Sequence, residues 1–94
     1  MNTTEKKVEM GETLVTRGAR KAFTDEELAT CFLRHAAGDW GDTSPADAAA
    51  NDAGLNPETQ DRLVSLYKFP DDRRLFIITE LDRSVTTALL PSEY

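Results

Sequence analysis

The chain is 94 residues long, 39% hydrophobic and 30% charged, a length that supports one domain with one core and a balance that excludes an intrinsically disordered chain. The single cysteine, Cys31, excludes a disulfide-stapled scaffold and suits a reducing, cytoplasmic setting, and no stretch approaches the ~20 apolar residues that span a bilayer or the apolar run of a signal peptide. The net charge of -6 is concentrated between residues 24 and 61, where nine carboxylates stand against one base, Arg34, so the middle of the chain repels phosphate backbones and favours a basic partner.

Residues 1–11 are polar, without periodicity, and are expected to form a flexible tail ahead of a single domain over 12–94. Alternation in TLVTR, residues 13–17, predicts a short strand, and residues 19–23 a helical turn. Thr24 followed by Glu27 has the spacing of a capping box, with Asp25 and Glu26 at the positive end of the helix dipole. Leu28, Cys31, Phe32, His35 and Ala36 then form one apolar stripe, and Gly38 ends the helix. Arg34 falls on the solvent side.

Ser44 and Pro45 open a second helix. Its alanines 46, 49, 50 and 53 form a small-residue stripe suited to close packing, Asp47 and Asn51 share a face as a polar pair, and Gly54 with Asn56-Pro57 closes it. Beyond Asp61 the period changes to two: residues 62–69, 74–81 and 85–90 read as three strands joined by the turns PDDR and DRS. Short connections make these neighbours antiparallel, and the run 75–78 suggests a middle strand covered on both sides. The expected fold is α+β: two helices on a three- to four-stranded antiparallel sheet, a C-terminal meander with the first strand added at an edge.

The string RHAAGDWGD, residues 34–42, gathers the only histidine and the only tryptophan. Asp39 and the glycines make it a corner between two helices, with Trp40 folded over the helix end. Arg34, Asp39, Trp40 and Asp42, with Asp47 and Asp52 of the acidic helix and Arg83 of the turn ELDRS, form a candidate partner-binding rim, since interface hot spots favour Trp and Arg. His35, Glu80 and Asp82 form either a structural polar network or an alternative catalytic group, with the hydroxyls of Thr79, Ser84, Thr86 and Thr87 nearby. One histidine and one distant cysteine do not make a metal site, and neither a cofactor-binding motif nor a catalytic residue is assigned.

RHAAGDWGD, Asn51 and IITELDRSVTTALLPSEY, residues 77–94, together resemble a family of short proteins of bacterial plasmids, phages and integrated elements, often named automatically as a type I restriction subunit. Methyltransferase chemistry does not follow, because five scattered glycines supply no cofactor turn. The resemblance implies a mobile-element accessory protein that blunts host defence.

Two function classes follow. In the first, the chain is an acidic inhibitor of anti-CRISPR or anti-restriction type, a monomer or small homo-oligomer in the cytoplasm, that binds a protein partner with a basic surface within a defence or nucleic-acid-handling complex. In the second, it is a small enzyme or ligand-binding domain centred on His35 and Glu80. Direct nucleic-acid binding ranks third and rests only on Lys6, Lys7, Arg17, Arg20 and Lys21. No membrane association is expected.

Overall fold

The computed structural model describes residues 7–94. Strand β1 (Glu12–Val15) ends where Thr16 turns its hydroxyl onto the Ala19 amide at 3.2 Å, so helix α1 (Arg17–Ala22) starts earlier than its composition suggested. Helix α2 (Asp25–Ala36) carries the expected capping box: the Glu27 amide donates to Thr24 Oγ1 at 3.0 Å, and the Thr24 amide donates to the Glu27 carboxylate at 2.9 Å. Gly38, at φ 79°, takes the left-handed turn that follows the helix. Ser44 caps helix α3 (Pro45–Gly54) by accepting from the Asp47 amide at 3.1 Å.

Strands β2 (Leu63–Lys68), β3 (Arg74–Thr79) and β4 (Val85–Leu89) form the antiparallel meander, with Ser65 opposite Ile77 and Ile77 opposite Ala88. The sheet order is β1-β4-β3-β2. The fold is therefore α+β, with three helices among the described residues instead of two and a mixed instead of purely antiparallel sheet. β1 lies at the edge but runs parallel to β4, Leu14 opposite Thr87. Tight turns dictate antiparallel pairing only between successive strands; a crossover containing all three helices carries the chain from β1 to β2 at the far edge, running the same way, and the two tight turns that follow bring β4 back beside β1 in that same direction.

Two apolar clusters lie between the helices and the sheet. The larger joins Ala19, Phe23, Leu28 and Cys31 to Tyr67, Leu75, Ile77 and Ala88, and the smaller joins Val8, Trp40 and Leu63. Leu63, Leu75 and Ile77 have no exposed surface, and burial of each contributes about 2 kcal/mol. The second face of β3 is reached by the C-terminal turn Pro91–Glu93 and by Tyr94, whose ring lies 5.1 Å from that of Phe76, so this face is covered in part. Arg73 fixes the β2–β3 turn to the helices. Its guanidinium donates to both carboxylate oxygens of Glu27 at 2.9 and 2.8 Å, and it lies over the rings of Phe23 and Phe69.

Three expectations are corrected. Ala46, Ala49, Ala50 and Ala53 face solvent, and α3 instead packs through Ala48, Asn51, Gly54 and the following Leu55. Asn51 is 4% exposed and bonds the backbone of β2, not Asp47; satisfying a buried amide decides the helix's orientation, since alanine burial contributes little. Of the expected tail, residues 1–6 lie outside the described ones. From Val8 onward the chain is held: the Val8 amide donates to the Ala36 carbonyl at 2.9 Å, and the Met10 carbonyl accepts from Thr86 Oγ1 at 2.7 Å. Among the described residues no helix is long and apolar enough to cross a membrane.

Candidate functional site

The α2 stripe carries Leu28, Cys31 and His35 inward, and His35 has no exposed surface. Its Nδ1 lies 2.6 Å from Ser65 Oγ and its Nε2 lies 2.8 Å from Thr79 Oγ1. Thr79 Oγ1 is in turn 2.7 Å from Thr86 Oγ1. Counting protons orients the chain. Thr86 must donate to the Met10 carbonyl, so it accepts from Thr79; Thr79, its one proton spent, accepts from His35 Nε2–H; Nδ1 is left to accept from Ser65. The ring is therefore the neutral tautomer protonated at Nε2. Burial, with a smaller contribution from the positive charge of Arg83, lowers its pKa to about 4.

Glu80 and Asp82 do not join this network. They line a shallow hollow of about 290 Å³ at the β3–β4 turn, together with Leu81 and Ser84, and neither is among the hydrogen-bond partners of His35. Asp82 caps the turn by accepting from the Ser84 amide at 3.0 Å, and its bonds from Ser84 hold its pKa below the ordinary value. The expected hydroxyls divide likewise: Thr79 and Thr86 belong to the histidine chain, whereas Ser84 belongs to the turn.

The candidate rim is engaged mainly within the fold. Arg34, placed toward solvent by helical spacing, is half-buried: it grips Asp39 at 2.7 and 3.2 Å and sits 4.6 Å from the centre of the Tyr67 ring. Tyr67 Oη donates to the Asp39 carbonyl at 2.7 Å, while an Asp39 carboxylate oxygen accepts from the Gly41 amide at 3.0 Å. The hydrogen bonds from Arg34 are the main reason the Asp39 pKa is lowered. Trp40, expected at an exposed rim, is only 5% exposed. Its indole N–H donates to Asp52 at 2.9 Å and its ring meets that of His35 edge-on at 5.6 Å. Gly38 and Gly41, at φ 79° and 72°, turn the backbone back beside β2 and thereby carry the tryptophan inward.

That turn covers the outer edge of β2. The Leu66 amide donates to the Trp40 carbonyl at 3.2 Å, and the Asp42 amide donates to the Leu66 carbonyl at 2.6 Å. Asp42 then accepts from the Lys68 amide through its side chain at 2.8 Å. One step earlier, Asn51 copies a neighbouring strand: its Nδ2 donates to the Val64 carbonyl at 2.8 Å and its Oδ1 accepts from the Val64 amide at 3.1 Å. The edge is sealed from Val64 to Lys68.

Arg83, expected as an exposed anchor, is half-buried and adopts φ 62°. It donates to the carbonyls of Gly54 and Asp61, each at 2.8 Å, tying the end of α3 to the β3–β4 turn. Of the seven candidate rim residues, Asp47 is the one whose side chain makes no hydrogen bond or ion pair among the described residues.

Sequence reasoning missed Ser65, Tyr67 and Arg73. Ser65 had a signal, because it is a hydroxyl on the buried phase Leu63-Ser65-Tyr67 of β2, where an unpartnered polar group would be costly. An open cleft of about 250 Å³ runs between α2 and the end of β2, flanked by Glu26, Thr30, Arg34, Lys68 and Phe69. His35 lines neither hollow. Among the described residues no group of three or more His, Cys, Asp or Glu side chains is arranged to hold a metal ion. The likeness to short mobile-element proteins rests on the quoted strings, and comparison of the chain with protein-family models, curated proteins and solved structures finds no match.

Proposed function

We propose that this chain binds a protein with a basic surface through its acidic helical half and acts in the cytoplasm as an inhibitor of a host-defence or nucleic-acid-handling complex. One observation carries this: the acidic segment holds its surplus charge at the surface. The single base in the segment, Arg34, is already matched by Asp39, while Glu26, Asp47 and Glu58 are exposed and their side chains make no ion pair among the described residues. Such a field raises encounter rates with a cationic face and suppresses binding to phosphate backbones. The mobile-element role and the anti-CRISPR or anti-restriction type rest on the resemblance. A reaction centred on His35 loses its support, because the ring has no solvent-facing side and both its nitrogens are occupied by hydroxyls.

The test is salt-dependent association with a target cross-linked in its host and identified by mass spectrometry. Glu26→Lys, Asp47→Lys and Glu58→Lys are combined, because Asp42 and Asp52 hold the fold and are unsuitable for reversal. The triple variant is expected to fold normally and lose the target. Unchanged affinity, or association insensitive to salt, would overturn the proposal.

A further inference from the structure

The two edges of the sheet are treated in opposite ways. β2 is sealed by Asn51 and by the turn through Gly41, whereas β1 is open. The amides of Glu12 and Thr16 donate inward to the carbonyls of Ser84 and Ala88, each at 3.0 Å. In a parallel ladder both groups of one residue face the same neighbour, so Thr13 and Val15 turn their N–H and C=O outward. Neither residue has a partner for those groups among the described residues. The strand ETLV contains no proline, lysine or left-handed residue to blunt the edge, and Leu14 is 46% exposed on the sheet face away from the helices.

We infer that β1 pairs with β1 of a second copy of this chain, antiparallel, about a two-fold axis that passes through Leu14. Antiparallel pairing requires outward residues to oppose outward residues, which allows three symmetric registers. Centring on Thr13 sets Val15 against Gly11, which is at φ 61° and outside the strand, and centring on Val15 sets Thr13 against Arg17, already in α1. Centring on Leu14 alone opposes Thr13 to Val15 at both ends, so each outward N–H and C=O gains a partner. Leu14 then meets its own copy as an apolar cross-strand pair on the axis. The same register brings Glu12 of one copy to the Thr16–Arg17 end of the other, acid beside base, twice. A parallel approach would set like charges together and does not close. The charge pattern and the positions of the open backbone groups therefore select the same arrangement. The seam is short, so the dimer forms and dissociates with concentration.

Sedimentation equilibrium of the full chain over a concentration series tests this, with Thr13→Pro and Leu14→Lys. The Thr13 amide makes no hydrogen bond among the described residues, and an edge position with an outward N–H tolerates proline. Thr13→Pro removes one seam bond per copy and is expected to weaken dimerisation by about thirtyfold with the circular dichroism spectrum unchanged. Leu14→Lys places two ammonium groups on the axis and should leave a monomer. Amide exchange at Thr13 and Val15 should slow as the wild-type concentration rises. A chain that stays monomeric at every concentration overturns the inference, as does a dimer whose dissociation constant is the same in wild type and in a folded Thr13→Pro or Leu14→Lys variant.

Discussion

Acidification should destabilise this protein through His35 well before its carboxylates protonate. The ring is buried and neutral in the fold, with a pKa near 4 against an ordinary 6.5. Between those two values the unfolded chain binds a proton that the folded chain refuses. Stability therefore rises with pH across that window, is fully present above about 6.5, and is lost as pH falls. For one such group the loss relative to pH 7 is about 2 kcal/mol at pH 5 and about 3 kcal/mol at pH 4, a large share of the roughly 5–15 kcal/mol that holds a domain together. Urea unfolding at a series of pH values, followed by far-ultraviolet circular dichroism and by the fluorescence of Trp40, measures it. Trp40 is the only tryptophan and its ring contacts His35. The control is His35→Gln, which cannot titrate; the slope with pH is compared, so a variant that is less stable at pH 7 remains informative. Glu27, Asp39, Asp82 and Glu93, with pKa values held below ordinary carboxylate values of 4.5 and 3.8, contribute their own acid losses only lower down and in both proteins alike. A wild-type stability that is flat between about pH 7 and 5, or that falls in parallel with His35→Gln, would refute the neutral buried ring.

Thr79→Val interrupts the hydroxyl chain at its centre, strands His35 Nε2–H and should cost about 1–3 kcal/mol in urea unfolding; a neutral effect would contradict the proton order derived for the chain. Asn51→Ala leaves both backbone groups of Val64 unpaired, with an expected loss of about 2–3 kcal/mol and faster amide exchange at Val64, and unchanged exchange there would count against the sealed edge. Gly41→Ala places a methyl group 2.3 Å from the Leu66 carbonyl at φ 72°, so either Leu66 or the turn must shift; calorimetry should show a melting temperature lower by about 4–8 °C for each kcal/mol lost, and an unaltered Tm would mean the turn is not constrained by β2.

Legibility followed the range of the interactions. Helix α2 was readable because its signals are local: Thr24 and Glu27 sit three positions apart, and the stripe from Leu28 to Ala36 repeats with the helix. The inward direction of His35 came from the same stripe. Its partners did not, since Ser65, Thr79 and Thr86 lie on three strands and meet only when the sheet forms. Trp40 and Arg34 show the other limit. Their surroundings are a strand edge and the ring of Tyr67, which no spacing within residues 34–42 encodes. In α3 the alanine stripe carried little free energy, and one buried amide, Asn51, outweighed it. The parallel placement of β1 depends on a crossover whose direction short-range turn rules do not address.

The sealed edge of β2 also sets the arithmetic of assembly. A filament grows by strand addition only if every incoming unit brings a fresh edge to replace the one it consumes. This chain brings one. Once β1 is occupied, the outermost strand at either end is β2, where Asn51 and the backbone of Trp40 and Asp42 already hold the available groups. Addition is therefore self-terminating, and a high copy number of the protein does not template a fibre. Trp40 and Asp42, expected at a partner-binding rim, act at this level, with Asn51, as a chain terminator.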